Sequence, residues 1–182
     1  MIINKKTGLL EDCQQVMSPN MDDRPENMRP ELLVIHNISL PPGEFGGPYI
    51  DQLFCNQLAA NEHPYFTGIC DLRVSSHLLI RRDGEIIQYV PFHKRAWHAG
   101  ESSYQGRSRC NDFSIGIELE GSDDTPYEDI QYRQLADMIR LLRENYPDIA
   151  KQAITGHCDI APGRKTDPGE SFDWDKLQQL LE

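Results

Sequence analysis

The sequence predicts a single α/β domain in which helices flank a central mixed β-sheet. Three observations favour this fold class: predicted strands are separated by predicted helices, one strong hairpin signal adds an antiparallel pair, and 182 residues provide one hydrophobic core but not two. We expect an irregular lead-in over residues 1–30, with a short edge strand at residues 7–10. One compact domain should follow over residues 31–182.

The first strong strand covers residues 31–39 and contains His36. The residues before His36 are apolar on both faces of the strand, which is typical of a central strand covered on two sides. A histidine at the end of such a strand either bonds to backbone groups or has a functional role, and both interpretations stay open. A rigid loop follows at residues 41–48, and apolar residues at helical spacing predict a helix over residues 49–61.

The middle of the chain combines a loop with a hairpin. Residues 61–72 lack periodicity, so we expect a mobile loop there. Strands at residues 74–80 and 85–90 flank Asp83-Gly84, a dipeptide that favours positive φ at both central positions of a tight turn. His93 and His98 lie in the polar stretch that follows. Either is a candidate ligand, although histidines in such stretches are more often surface groups or neighbours of a ligand.

Residues 113–120 alternate between two faces, as a strand does. Ile115, Ile117 and Leu119 share one face, and Ser114, Gly116, Glu118 and Glu120 share the other. Gly116 leaves space beside Glu118, and a carboxylate on an inner strand is unusual unless it is paired or functional.

The C-terminal third supplies the remaining regular elements. Residues 127–146 form a long amphipathic pattern that predicts a helix, and residues 153–156 predict a short strand. Residues 173–181 predict a final helix with Asp173 as its N-cap.

The segment between that strand and that helix, residues 156–169, concentrates reactive side chains. Its two Pro-Gly pairs are turn signals, so the segment can fold back and bring His157 towards Asp167. Imidazole nitrogen with carboxylate oxygen suits zinc, and a third ligand must come from elsewhere. Asp159 would face the same way as His157 in an extended chain and is a rival to Asp167. Cys158 would then point to the opposite side.

Composition excludes several classes of partner. The net charge of −11 argues against nucleic acid and against an anionic membrane surface. No apolar run reaches the length of a membrane span or a signal peptide. Five cysteines with no C-x-x-C pair favour reduced thiols. These observations indicate a cytoplasmic protein, and we expect a monomer.

Four ordered segments, residues 33–42, 96–100, 110–121 and 156–169, resemble the zinc-dependent N-acetylmuramoyl-L-alanine amidases, a family related to the peptidoglycan recognition proteins. The resemblance runs from about residue 8 to the C-terminus and implies the fold of that family. It also implies hydrolysis of the amide between the lactyl group of (1,6-anhydro-)N-acetylmuramic acid and L-alanine, in cytoplasmic peptidoglycan recycling. The alternative is a module of the same fold that binds muropeptides without cleaving them.

The resemblance further implies the residues of the site. Zn²⁺ would be held by His36, His157 and Asp167, with the fourth position open, as in catalytic rather than structural zinc sites. Glu118 would be the general base, and Lys165 would stabilise the oxyanion. Without the resemblance, Glu118 in a salt bridge and Lys165 as a solvated loop residue remain alternatives.

The implied substrate is a small-molecule muropeptide, whose free carboxylates require fixed cations. The resemblance assigns substrate binding to Asn37, Arg73, Trp97, Arg109 and Ala161. Arg107 is a further candidate for a carboxylate, since guanidinium pairs with that group in bidentate fashion. Trp97 could stack on the face of the sugar. The alternative for the arginines is solvent exposure beside acidic neighbours.

Overall fold

The computed structural model describes all 182 residues. Its strands are β1 Ile3–Asn4, β2 Leu9–Leu10, β3 Gln14–Gln15, β4 Met21–Asp23, β5 Leu32–Ile38, β6 Leu78–Ile80, β7 Ile86–Gln88, β8 Lys94–Ala96, β9 Ser103–Tyr104, β10 Arg107–Ser108, β11 Ser114–Glu120 and β12 Ile154–Gly156. Its α-helices are α1 Tyr49–Phe54, α2 Asp129–Asn145, α3 His157–Ile160 and α4 Trp174–Leu181. Two 3₁₀ turns lie at Pro64–Gly68 and Cys110–Asp112.

Six strands form the central sheet, in the order β12-β5-β11-β6-β7-β3. Strands β12, β5, β11 and β6 run parallel, and β6 pairs with β7 in the antiparallel sense. The mixed sheet with flanking helices confirms the predicted fold class. Because the parallel strands end at one edge, the side chains that follow them collect there.

Both faces of the sheet are buried, as the apolar pattern of residues 31–39 predicts. Leu33 and Ile35 of β5 belong to the large core that includes residues of α2 and α4. Leu32 and Val34, which point the opposite way, join a smaller core with Phe113. The burial of both faces leaves β5 rigid at the position where it delivers His36.

The predicted helix over residues 49–61 is too long. Helix α1 ends at Phe54, because Asn56 adopts a left-handed conformation with φ of 59° just beyond the C-cap. The following segment, expected to be an irregular loop, contains the 3₁₀ turn at Pro64–Gly68 with Phe66 fully buried. At the other end of the chain, Asp173 accepts a hydrogen bond from the Lys176 amide, which confirms the predicted N-cap of α4.

The hairpin between β6 and β7 is present, but its turn differs from the prediction. Only Gly84 has a positive φ, at 88°, and Asp83 does not. The Arg81 amide donates to the Glu85 carbonyl, and the Gly84 amide donates to the Arg81 carbonyl. These bonds define a three-residue loop with glycine in the left-handed position, rather than a two-residue turn.

Residues 1–30 are more regular than predicted. They hold four short strands, of which only β2 matches the expected strand, and β3 joins the central sheet beside β7. The guanidinium of Arg24 donates to the carbonyls of Phe92, Asn111, Asp112 and Ser114 at 2.8–3.2 Å. The lead-in is therefore attached to the sheet through buried contacts.

No helix in the structure has both the length and the apolar character that crossing a membrane requires.

Candidate active site

Three metal-ligating side chains meet at the carboxyl edge of the parallel strands. His36 lies near the end of β5, His157 follows β12, and Asp167 lies ten residues further along the loop. Nδ1 of His36 is 3.0 Å from Nδ1 of His157 and 2.9 Å from Oδ2 of Asp167. The remaining distance, from Nδ1 of His157 to Oδ2 of Asp167, is 3.0 Å. The structure thus brings together all three predicted ligands, and all three are buried.

Asp159, the predicted rival, faces away from this cluster. Residues 157–160 form one helical turn instead of extended chain, so Asp159 does not share a side with His157. Its carboxylate accepts from the Gly156 amide at 2.9 Å and lies 3.0 Å from the Thr155 hydroxyl. The assumption of an extended chain is therefore wrong, and Asp159 is a cap of its own helical turn.

A backbone hydrogen bond joins α3 to the loop that follows it. The Cys158 amide donates to the Asp167 carbonyl at 2.9 Å, which holds Asp167 next to the helical turn that carries His157. The Cys158 thiol is not part of the cluster, and burial raises its pKa. A raised pKa disfavours the thiolate, which is the form of cysteine that binds a metal.

The proton of His157 has a defined position. Its Nε2 is 3.1 Å from the Ala99 carbonyl oxygen, which can only accept, so Nε2 carries the hydrogen. In the neutral ring, Nδ1 then presents a lone pair towards Asp167. An imidazole lone pair facing an ionised carboxylate is an arrangement that a cation stabilises.

The donor set fits zinc. Two imidazole nitrogens and one carboxylate oxygen are ordinary zinc ligands, and a tetrahedral ion with bonds of about 2.0–2.1 Å would hold them about 3.3 Å apart. The observed separations of 2.9–3.0 Å are close to that value. The cluster offers no fourth protein ligand. Three ligands with an open position are typical of catalytic zinc.

Glu118 lies on the strand next to His36 and has no salt-bridge partner. Its side chain is buried, and Oε2 makes no hydrogen bond. Burial raises the pKa of Glu118 well above its ordinary value, Asp167 raises it further, and Lys165 opposes the shift. The arginine of this region pairs instead with Glu120, since Arg81 Nη1 is 3.1 Å from Oε1 of that residue. The salt-bridge interpretation of Glu118 is therefore excluded.

One cavity of about 640 Å³ contains the cluster. Its lining includes Glu118 and the solvent-exposed Lys165. The lining also includes the apolar and aromatic side chains of Leu40, Leu53, Phe54, Tyr65, Ile69 and Leu72. The cavity can therefore hold a ligand with both apolar and charged parts.

The five predicted substrate-binding residues divide into two groups. Asn37 and Trp97 line the cavity. Asn37 donates to Asp123 at 2.8 Å and to the Pro168 carbonyl at 3.0 Å, which fixes the orientation of its amide. Arg73, Arg109 and Ala161 do not line the cavity in this structure, so their roles stay predictions.

Two of the arginines already have acidic partners. Arg109 Nε is 3.2 Å from Asp112. Arg107 pairs with Glu31 at 2.5 Å, and its guanidinium lies 4.0 Å from the centre of the Phe113 ring. Arg73 is exposed and adjoins Leu72, which lines the cavity. Of these three arginines, Arg73 is thus the one without an ion pair.

Two further residues lie at the site: Arg164, which the sequence did not single out, and His98, which it offered as a candidate. Arg164 lines the cavity and donates at 2.7 Å to the Ala99 carbonyl, the group that also accepts from His157. Its only signal was its position beside Lys165. His98 contacts His36, with 2.9 Å between Nδ1 and Nε2, whereas His93 is exposed. His98 therefore matches one alternative from the sequence, a histidine that neighbours a predicted ligand.

Known proteins match the chain over nearly its whole length. The N-acetylmuramoyl-L-alanine amidase family model matches residues 26–170. The chain is 64% identical over 174 residues to the 1,6-anhydro-N-acetylmuramyl-L-alanine amidase AmpD of Citrobacter freundii, covering 96% of this chain and 92% of that one. A crystal structure of a selenomethionine AmpD derivative superimposes with a TM-score of 0.96 at 62% identity and covers 100% of both chains.

A second solved structure shows a relative with a muropeptide. AmiD of Escherichia coli, in complex with anhydro-N-acetylmuramic acid-L-Ala-D-γ-Glu-L-Lys, matches with a TM-score of 0.60 at 27% identity. The match covers 94% of this chain and 60% of that one. Together with the family model and the identity to AmpD, the fold and the clustered ligands lead to one conclusion: this chain belongs to the N-acetylmuramoyl-L-alanine amidase family and is an amidase.

Proposed function

We propose that this amidase uses zinc to hydrolyse the amide between the lactyl group of 1,6-anhydro-N-acetylmuramic acid and L-alanine of the stem peptide. One observation carries the proposal: His36, His157 and Asp167 converge within 3.0 Å of one another in the cavity that also holds the unpartnered carboxyl of Glu118. The names of the AmpD relatives support the anhydro sugar as the substrate class.

Glu118 acts as the general base. A water molecule in the cavity attacks the amide carbonyl and gives a proton to Glu118, which passes it to the leaving nitrogen of L-alanine. The raised pKa of Glu118 supports this role, because burial and the neighbouring Asp167 make its carboxylate a stronger base than an ordinary one. The products are a free lactyl carboxylate and the amino group of the released peptide.

Lys165 stabilises the negative charge that develops on the carbonyl oxygen during attack. Its exposed position in the cavity wall supports this role, since the ammonium is free to approach the substrate. His36, His157 and Asp167 would hold the zinc ion, which supplies a Lewis acid that polarises the carbonyl and acidifies a water ligand. All three side chains are buried, so the packing around them fixes their positions.

The remaining site residues bind the substrate. Asn37 and Trp97 contact it within the cavity, Trp97 against the sugar face, and Arg73, Arg109 and Ala161 contact the parts of the muropeptide that extend beyond the cavity. The peptide carboxylates would pair with the arginines. Asn37 has an amide oriented by two hydrogen bonds, which supports a role in positioning.

The enzyme would act as a cytoplasmic monomer in peptidoglycan recycling. The resemblance of the chain to AmpD supports this setting. All five cysteines are free in the structure, as expected for a protein in a reducing compartment. The substrate in that setting is a small soluble muropeptide rather than intact cell wall.

The alternative, a muropeptide-binding module without catalysis, requires neither a base nor an oxyanion partner. The presence of Glu118 and Lys165 beside a three-ligand cluster therefore disfavours it. The test is mass spectrometry of the products formed from a purified anhydromuropeptide, with and without a chelator, and with an ordinary peptide as control substrate. We expect release of the L-alanyl peptide that stops on chelation and returns with zinc. Binding without product, or full activity in the metal-stripped enzyme, would contradict the proposal.

A further inference from the structure

His98 lies directly over Gly116 on the sheet face that carries Glu118. A Cβ atom added at Gly116 would be 2.5 Å from Cγ of the His98 ring, which no real pair of such atoms tolerates. Glycine at this position therefore makes room for an imidazole. The space left beside Glu118 on this strand is thus occupied by a side chain of the protein itself.

The ring takes part in a continuous chain of polar contacts. Oγ of Ser114 is 2.6 Å from the Cys110 carbonyl oxygen and 3.1 Å from Nε2 of His98. Nδ1 of His98 is 2.9 Å from Nε2 of His36. The contacts lead from a backbone carbonyl, through a hydroxyl and an imidazole, to one of the three clustered ligands.

The first member of the chain sets the direction of every bond. A carbonyl can only accept, so the Ser114 hydroxyl donates to Cys110 and accepts from Nε2–H of His98. The neutral His98 ring then has no hydrogen on Nδ1, which accepts from Nε2–H of His36. His36 in turn has no hydrogen on Nδ1, the atom that faces His157 and Asp167.

We propose that His98 and Ser114 are positioning residues that keep the proton of His36 on Nε2 and so leave its Nδ1 free to bind zinc. This inference rests on the proposed zinc site. Ala99 performs the same task for His157, because its carbonyl fixes the proton of that ring. Each histidine of the cluster therefore has an outer partner that selects the ligating nitrogen.

The test measures zinc affinity by competition with a chromophoric chelator. In His98→Leu the acceptor for His36 is lost, and we expect zinc to bind about 10–100-fold more weakly, as for other losses of an outer partner. His98→Asn keeps an acceptor oxygen near the position of Nδ1 and should restore most of the affinity. Ser114→Ala should weaken binding less than His98→Leu. Equal affinity in the wild type and His98→Leu would overturn the proposal.

Ser76→Ala is the matched control for Ser114→Ala. Ser76 is also buried, but its hydroxyl has no hydrogen-bond partner, so zinc affinity should not change. Circular dichroism and thermal unfolding of the zinc-free variants establish whether each of them folds. Wild-type protein that binds no zinc would contradict the proposed function instead.

A second measurement does not depend on any variant. Long-range ¹H–¹⁵N NMR spectra of the zinc-free wild type report which nitrogen of each histidine carries the proton. We expect His98 to be protonated on Nε2 alone. A proton on Nδ1 of His98 would overturn the proposal even if the protein binds zinc normally.

Discussion

Glu118 and His36 are direct partners in the register of two adjacent parallel strands, β11 and β5. The backbone of the sheet therefore sets the distance between the proposed base and one proposed zinc ligand. Lys165, by contrast, belongs to the exposed loop after α3. The proposed base is thus held by a fully buried strand, whereas the proposed oxyanion partner lies in an exposed loop that can adapt to a substrate.

Replacing Glu118 with glutamine should remove the base and leave the cluster intact. We expect kcat to fall about 10²–10⁴-fold, the range for loss of general base catalysis, with zinc content unchanged. The measurements are steady-state kinetics and elemental analysis. Glu120→Gln, two residues along the same strand, is the control. It breaks the pair with Arg81, so it should lower stability and leave zinc content unchanged. A fully active Glu118→Gln enzyme would refute the assignment.

Asp167 and Asp159 should differ sharply when each is changed to alanine. Asp167→Ala removes a cluster ligand, so we expect loss of bound zinc and of activity. Asp159→Ala removes only the cap of a helical turn and should lower the free energy of unfolding by about 1 kcal/mol, with zinc retained. Elemental analysis and urea denaturation distinguish the two. The opposite pattern would reassign the third ligand.

Lys165→Gln should affect the chemical step more than substrate binding. The ammonium is proposed to stabilise charge that exists only in the transition state, so kcat should fall about 10²–10³-fold with little change in KM. Steady-state kinetics on a purified anhydromuropeptide provide the measurement. Lys151→Gln, which alters an exposed lysine outside the cavity lining, is the control for the loss of one positive charge. A rise in KM with unchanged kcat would indicate that Lys165 binds the ground state only.

The zinc-free protein should lose stability as the pH falls below neutral. Burial lowers the pKa of His36 from 6.5 to about 4, and burial also holds the pKa of His77 and of His98 well below 6.5. Between these values the unfolded chain binds protons that the folded chain does not. The free energy of unfolding therefore decreases as the pH decreases, by about 1.4 kcal/mol per pH unit for each such proton. Glu118, whose pKa is raised, acts in the opposite sense, but three histidines outweigh it.

Urea denaturation of the chelator-treated protein across this pH window measures the slope. His77→Asn keeps an acceptor for the Gly116 amide and removes one titrating group. The slope of unfolding free energy against pH should therefore decrease by the contribution of about one proton. Stability that does not depend on pH, or an unchanged slope in this variant, would show that these imidazoles are protonated in the folded state.

The strands that position the site were predictable, since their patterns are local. Apolar residues on both faces identified the strand around His36. Alternation placed Glu118 on the face of its strand that is opposite to Ile117. The conformations that were wrong depend on contacts at medium range. Asn56 ends α1 through a left-handed backbone, and the helical turn at residues 157–160 directs Asp159 to its own backbone. Asparagine tolerates the left-handed conformation, so Asn56 was a weak signal for the end of α1, whereas the turn at residues 157–160 has no clear signal in the residue pattern.

The sequence by itself identified the reactive groups and the main strands along the chain and, through its resemblance to the amidases, predicted the three ligands. Only the tertiary structure decided that His36 and Asp167, 131 residues apart, meet at 2.9 Å, and that His98 occupies the space above Gly116. The physical reason is that side-chain periodicity records burial along one element. Distances between elements depend on how the sheet orders its strands and how tightly their side chains pack.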